Sequence, residues 1–255
     1  MTIQVLVAAM NAENTLPEKM NLRTDAIIGN QCDRNSVEES EYDGHTVRWL
    51  NFAERGVGLN RNNALMRATA DVCLFADDDM IYADDYAEKV EAAFSRHPDA
   101  DVLVFNLTEE VPTRYVNRRD RRVGRLNYMR YGTARIAVRL SSVRDAGIAF
   151  HLCFGGGTPH AHGEDNLFLT DCLNKKLKIY AVPEFIATLT EERESTWNAG
   201  YDEKYLADQG CLFRTISRRW WRLLCLQDAI RHRRTYGGSW RRAYRLMKAG
   251  ARTVG

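Results

Sequence analysis

The chain has 255 residues, enough for one large or two small domains, and its 45% apolar and 27% charged residues are those of an ordinary folded globular protein. Nowhere does an apolar run approach the ~18 residues of a membrane-spanning helix, and Met1-Thr2-Ile3-Gln4 enters a strand directly, without the regions of a signal peptide, so a cytoplasmic location is expected. The net charge of +2 conceals a division: residues 214–255 hold twelve Lys/Arg and one acid, Asp228, whereas residues 1–213 hold 24 and 33, which argues for a basic tail that meets an anionic surface.

Taken in order, Ile3 to Ala9 is a near-continuous apolar run, as in a parallel sheet covered on both faces. A polar turn, Met10 to Asn14, follows, and Pro17 suits the first turn of a short helix. Asp25 to Gly29 reads as a second strand with a polar turn, Asn30 to Asn35, behind it; Thr46 to Phe52 is a third strand. At Gly56-Val57-Gly58 a glycine-rich turn opens a helix that ends near Ala68. Val72 to Ala76 is a fourth strand, Asp84 to Arg96 a helix ended by Pro98, and Asp101 to Leu107 a fifth strand. Strands alternating with helices predict an α/β fold with a mostly parallel sheet. The rhythm breaks at Arg114 to Arg130, basic and without period, either a surface excursion or an acceptor-side loop. Ala134 to Leu140 reads as a strand and Ser141 to Ala146 as a short helix. A glycine-rich loop, Phe154 to Gly163, then leads to Glu164-Asp165 and a helix from Asn166 to Lys175, and Lys178 to Val182 is a strand ended by Pro183. The six cysteines show no Cys-x-x-Cys spacing; Cys73 and Cys153 lie in apolar sequence, and reduced, mostly buried thiols are expected.

The fourth strand stops at Asp77-Asp78-Asp79. Three adjacent carboxylates repel one another unless a cation lies among them. Hard oxygen ligands suit Mg²⁺ or Mn²⁺, which complete their shells with substrate phosphates, and ligands of open α/β sheets bind at the carboxyl ends of strands. The triplet thus reads as a divalent-metal site for a nucleoside diphosphate; a solvated acidic turn capping the next helix is the plainer alternative, and both stand at this point.

The ordered set of Asn11 after the first strand, Gly56-x-Gly58-x-x-Arg61-Asn62, the acid triplet and Glu164-Asp165 at a helix start resembles the family 2 glycosyltransferases of the GT-A fold over residues 1–189. The resemblance implies a nucleotide-diphosphate sugar donor, usually a UDP-sugar, and Mn²⁺ or Mg²⁺ held by Asp79 and Asp77. Asp77 would face the ribose with Asp78 beside it, Arg61 would lie at the diphosphate or base, and Gly156 would run under the donor sugar. Asn62 would tie its turn together. Ala9, Asn11 and Glu13 would form one side of the base pocket. The second strand ends in Asn30-Gln31-Cys32-Asp33 where many members have Asp-Asp-Gly-Ser, so Asn30, Gln31 and Asp33 are all candidates to read the base. Asp165 would be the general base of an inverting displacement, with Glu164 orienting the site or the acceptor; two acids at a helix N-terminus also have a purely structural use. His160 and His162 are further candidates for the cation or the acceptor. Processive members carry Gln-x-x-Arg-Trp, whereas Arg193-Glu194-Ser195-Thr196-Trp197 lacks its Gln and Arg, which argues for adding one sugar, to a carbohydrate or lipid-linked glycan acceptor in surface polysaccharide or glycolipid synthesis.

Two other functions compete for the same residues. A nucleotidyltransferase usually carries a basic glycine-rich loop after its first strand, and Met10-Asn11-Ala12-Glu13 has no Lys or Arg. A non-catalytic binding protein has no need of Asp77, Asp79 and Asp165 together. The expected division is a catalytic domain over 1–213, with a nucleotide-binding half 1–107 and an acceptor half 108–213, then a basic helical tail, 214–255. In the tail Ile216, Trp220, Leu223, Leu224 and Ile230 fall near one helix face, and after Gly237-Gly238 Trp240, Ala243, Tyr244, Met247 and Ala251 repeat on another. Such stripes fit peripheral contact with the inner face of the plasma membrane or packing on the catalytic domain or a second subunit as a homodimer; a nucleic-acid partner is not expected beside so acidic a body.

Overall fold

The computed structural model describes residues 1–190 and 200–254. Residues Glu191 to Trp197, which include the expected solvated turn and the position of the processivity motif, lie outside them. Among the described residues a ten-stranded sheet is built around β1 (Ile3–Met10), which runs parallel to β2 (Asp25–Gln31) on one side and β5 (Val72–Asp77) on the other. β4 (His45–Phe52) extends the parallel set beyond β2, and β3 (Ser36–Tyr42) folds back on β4 as the edge. Across the sheet, β9 (Ile136–Arg139) enters antiparallel between β5 and β7 (Val102–Thr108). β10 (Ile179–Leu189) runs parallel to β7, and two short strands, β6 (Met80–Tyr82) and β8 (Arg121–Val123), pair antiparallel with β10. The expected α/β architecture with a mostly parallel sheet is what the chain adopts.

Both faces of β1 are covered, which is why its sequence reads as an unbroken apolar run. Val5, Val7 and Ala9 share a core with Val90 and Phe94 of α3 (Tyr86–Arg96), and Met20, next to the short α1 (Leu16–Lys19), joins them. On the opposite face Leu6 and Phe75 meet Leu65 of α2 (Val57–Arg67) and Phe168 of α5 (Glu164–Asn174), with α4 (Leu140–Asp145) alongside.

Two strands and one cysteine are among the differences from the sequence reading. β2 continues through Asn30 and Gln31, expected as turn, because both side chains find partners inside the protein. β10 passes Pro183 and runs on to Leu189; the register shifts between Ala181 and Phe185, and a proline without an N–H is tolerated at such an irregularity. Cys153 is exposed, while the other five cysteines are buried and free.

The last three helices, α6 (Glu203–Ile216), α7 (Trp221–Arg231) and α8 (Trp240–Gly250), have their own core of Leu206, Phe213, Trp221, Cys225, Ala243 and Met247. A side chain on Gly210 would fall on the Met247 carbonyl, and one on Gly250 on the Ala207 carbonyl, so α6 and α8 pack backbone to backbone. α6 spans the expected boundary between residues 213 and 214, and the helical unit begins at Glu203. The α8 stripe is consumed by this packing: Ala243, Met247 and Ala251 are buried. In α7 the buried side is Trp221, Cys225 and Ala229; of the expected stripe, Ile216 lies in α6 and with Leu224 packs partly against this core, whereas Leu223, Ile230 and the capping Trp220 face outward. No helix among the described residues is long and apolar enough to cross a membrane.

Candidate active site

β5 carries its apolar run to the edge of the sheet and delivers Asp77, Asp78 and Asp79 beside the ends of β1 and β2. Asp78 Oδ2 accepts from Met10 N at 3.2 Å. The main-chain oxygen of Asp79 accepts from Thr190 N at 2.8 Å and Thr190 Oγ1 at 3.0 Å, which fixes the turn. One carboxylate oxygen of Asp79 is buried with no partner among the described residues. Burial first, then the charges of Asp77 and Asp78, push the Asp79 carboxyl up to about 6. A buried, unsatisfied oxygen beside two more acids is the donor set that a hard divalent cation relieves. No cluster of three metal-ligating side chains is assembled among the described residues, so such a cation would rest on one or two carboxylates and take the rest of its shell from substrate and water.

Arg61 projects from the second turn of α2 into the protein and is 4% exposed. Its Nη2 donates to Asp77 Oδ1 at 2.6 Å and its Nη1 to Glu164 Oε1 at 2.9 Å, with the guanidinium 5.5 Å from the Phe150 ring centroid. Burial works against its cation, but the two carboxylates outweigh burial and hold its pKa above the ordinary value. Both arms of the fork expected at the donor diphosphate are therefore engaged by protein carboxylates, and Asp77, expected at the ribose, is one of them. Asn62 exchanges hydrogen bonds with Phe150, its Nδ2 donating to Phe150 O at 2.9 Å and its Oδ1 accepting from Phe150 N at 2.7 Å.

Gly163, at φ 106°, turns the chain into α5 and places Glu164 and Asp165 in its first turn. Asp165 Oδ1 accepts from Asn166 N at 2.6 Å. Burial first, then the adjacent Glu164 charge, raise the Asp165 carboxyl from the ordinary 3.8 to about 7. A carboxylate so placed can take a proton near neutral pH. The glycine-rich loop comes close enough that a side chain at Gly155 would strike Val57 and the Glu164 carboxyl, and Gly156 O accepts from Val57 N at 2.9 Å. α6 holds this loop from behind. His160 Nδ1 lies 2.9 Å from Asp208 Oδ1, and His162 Nε2 lies 2.8 Å from Gln209 Oε1 with its ring stacked on Tyr205. Both histidines, candidates for the cation or acceptor, are thus tied to α6, and burial lowers the His162 pKa.

Ala9, Gln31, Arg61, Asp77, Asp78, Asp79, Gly156, Glu164 and Asp165 line one cleft of about 550 Å³. Gln31 Oε1 accepts from Gly56 N at 2.8 Å. Asn30 is outside the lining: its Oδ1 accepts from Ala12 N at 2.9 Å and its Nδ2 donates to Asn51 Oδ1 at 2.9 Å, so its amide joins two elements. Asn11, Glu13 and Asp33 are exposed and also outside the lining. The cleft also includes Glu109, which the sequence did not mark, and Arg114, at the start of the stretch read as a surface excursion or an acceptor-side loop. Glu109 and Arg114 form an ion pair on the loop after β7, where Glu109 Oε2 also accepts from Thr113 N and Arg114 N, each at 2.9 Å. Asp208 and Gln209 carried no signal, since their role depends on α6 reaching the loop.

The family profile described as Glycosyl transferase family 2 matches residues 23–153. No curated protein matches the sequence significantly. Among solved structures, Staphylococcus aureus TarS 1–349 in complex with UDP-GlcNAc aligns with a TM-score of 0.64 at 15% identity, covering 99% of this chain and 92% of that one. TarS 1–349 in complex with UDP aligns at 0.63 and 17% identity, covering 92% and 72%, and TarS itself at 0.61 and 14%, covering 98% and 55%. At these identities the likeness is one of fold.

Proposed function

The chain belongs to glycosyl transferase family 2, and from that footing we propose that it is a metal-dependent, inverting, non-processive enzyme that transfers one sugar from a UDP-sugar to the hydroxyl of a carbohydrate or lipid-linked glycan. The observation that carries the reading is the pairing of two unlike carboxylates across one cleft: Asp79, with an unpartnered buried oxygen, and Asp165, with a carboxyl poised near neutrality. Two solved structures of this fold hold UDP-GlcNAc and UDP, which supports a uridine donor.

On this reading Asp79, with Asp77, would hold Mn²⁺ or Mg²⁺ on the donor side of the cleft. When bound, the cation neutralises the charge that builds on the departing diphosphate. Asp77 and Glu164 keep their places because Arg61 holds both. Gln31 and the end of β1 at Ala9 border the donor side, and Gly156 passes beneath the sugar. Asp165 takes the proton from the acceptor hydroxyl as that oxygen attacks the anomeric carbon from the face opposite the diphosphate; one base suffices for such a displacement, and the configuration inverts. Glu109 and Arg114 border the remaining opening, where an acceptor enters. The enzyme works at the inner face of the plasma membrane, where a lipid-linked acceptor is found, in surface polysaccharide or glycolipid synthesis.

A panel of UDP-, GDP- and CDP-sugars with Mn²⁺ or with EDTA tests the reading. Release of UDP only with metal, and a product of inverted anomeric configuration, are expected. Metal-independent release or a retained configuration refutes the corresponding part.

A further inference from the structure

α7 is apolar on two opposite sides. Trp221, Cys225 and Ala229 are buried in the helical core, whereas Trp220, Leu223 and Ile230 are 55%, 57% and 49% exposed. Their spacing puts the exposed three on one stripe of a helix. Arginines border that stripe. Arg219 lies 5.0 Å from the Trp220 ring, Arg222, next to Leu223 in sequence, is exposed, and Arg218, Arg231, Arg233 and Arg234 are exposed at the two ends. The tail's single acid, Asp228, turns inward and accepts from Tyr236 Oη at 2.8 Å. One exposed leucine on a protein surface needs no explanation. Trp, Leu and Ile on one stripe, bordered by cations, is the pattern of a helix lying in a bilayer interface, where Trp favours the headgroup level and arginine reaches up to phosphate.

We propose that the outer face of α7 docks on a bilayer carrying anionic headgroups, with Trp220, Leu223 and Ile230 in the headgroup–acyl boundary and the surrounding arginines on lipid phosphates. The inference rests on the reading of the chain as an enzyme that works at a membrane, and it names the surface. A second copy of the chain is a poorer occupant, because a two-fold contact through this face would bring like-charged arginine borders together. A nucleic acid would satisfy the arginines and leave the apolar stripe in water. The same helical unit holds the glycine-rich loop through Asp208 and Gln209, so docking also sets the catalytic cleft beside the bilayer.

Sedimentation of the full chain with vesicles of phosphatidylcholine alone or mixed with phosphatidylglycerol tests this. Binding to the mixed vesicles is expected, weakening as salt rises. Arg219→Gln and Arg222→Gln should each weaken it about fivefold. Leu223→Glu with Ile230→Glu should abolish it, with little change in thermal stability because both positions are half exposed. A second measurement needs no variant: amide hydrogen exchange in α7 of the unaltered chain should slow with mixed vesicles and not with neutral ones. Equal binding to neutral vesicles, unchanged binding of the variants, or unchanged exchange in α7 overturns the proposal, as does a dimer in vesicle-free solution that Leu223→Glu dissociates. UDP release without vesicles should be the same for the Leu223→Glu variant and the unaltered chain. Vesicle binding that persists while no donor is turned over supports docking and counts only against the transferase assignment.

Discussion

Arg61 Nη2 donates to Asp77 Oδ1 across 2.6 Å, and the other arm of the same buried guanidinium holds Glu164. One cation thus fastens the end of β5 to the start of α5. Removing it leaves two carboxylates without compensation. Arg61→Ala is expected to destabilise the protein by about 2–3 kcal/mol, below the about 3–5 kcal/mol of a fully buried pair because Asp77 is 40% exposed. Arg61→Lys should fall between, since one ammonium cannot reproduce a two-armed fork. Denaturant unfolding measures both, and an alanine variant as stable as the unaltered chain contradicts the clamp.

The Asp165 carboxyl stands at about 7 in the fold against an ordinary 3.8. Folding therefore favours its protonated form. Its contribution to stability is full below the ordinary value, declines as pH rises toward about 7, and is level above that. Transfer runs the other way, because a general base must be ionised: kcat/KM should rise about tenfold per pH unit below about 7 and level off above. Asp165→Asn should lose transfer by at least about a hundredfold while gaining stability at alkaline pH. A flat pH–rate profile through neutrality would count against Asp165 as the base.

Asp79 sets function against stability. Its carboxyl is raised to about 6 by burial and by Asp77 and Asp78, so at neutral pH its ionised form strains the metal-free protein. Asp79→Asn is expected to raise the metal-free melting temperature by a few degrees and to abolish the further rise that Mn²⁺ with UDP gives the unaltered chain. A thermal melt with and without both ligands checks the two effects at once; a variant that melts lower without ligand contradicts the strained cluster.

Gly210 and Gly250 let α6 and α8 meet at their backbones. Gly210→Val should cost about 1–3 kcal/mol through overpacking, and it should also loosen the glycine-rich loop, because the neighbouring Asp208 and Gln209 hold His160 and His162. Faster hydrogen exchange over 154–163 in the variant is the expected readout, and unchanged exchange there would show that α6 does not support the loop.

β1 and β5 were legible because both are continuous apolar runs that stop at polar turns, and Asp77 to Asp79 stood out because three acids at a strand end need a reason. β3 was not legible. Ser36 to Tyr42 is almost wholly polar and exposed, and its strand character comes from pairing with β4 rather than from its own pattern. β10 reads as ending at Pro183 because the irregular register that accommodates the proline arises only when β10 pairs with β7, which the local sequence does not show. Asn30 is a candidate base reader by its residue type and Arg61 a donor contact by its place in the glycine-rich element. Their bonds to Asn51 and to Glu164 join segments far apart in sequence, which no local pattern encodes. In the tail both amphipathic stripes were visible, but which one α6 would cover depended on Gly210 and on a helix that the sequence reading did not assign.

Whether this cleft binds a nucleoside diphosphate through a cation held at Asp79 is decided by calorimetric titration with UDP. With Mn²⁺ present the unaltered chain should bind one UDP, the affinity should collapse in EDTA, and Asp79→Ala should remove the metal dependence while Asp165→Asn leaves it intact. Binding of UDP that is indifferent to Mn²⁺ and unchanged in Asp79→Ala would rule out a cation site at Asp79.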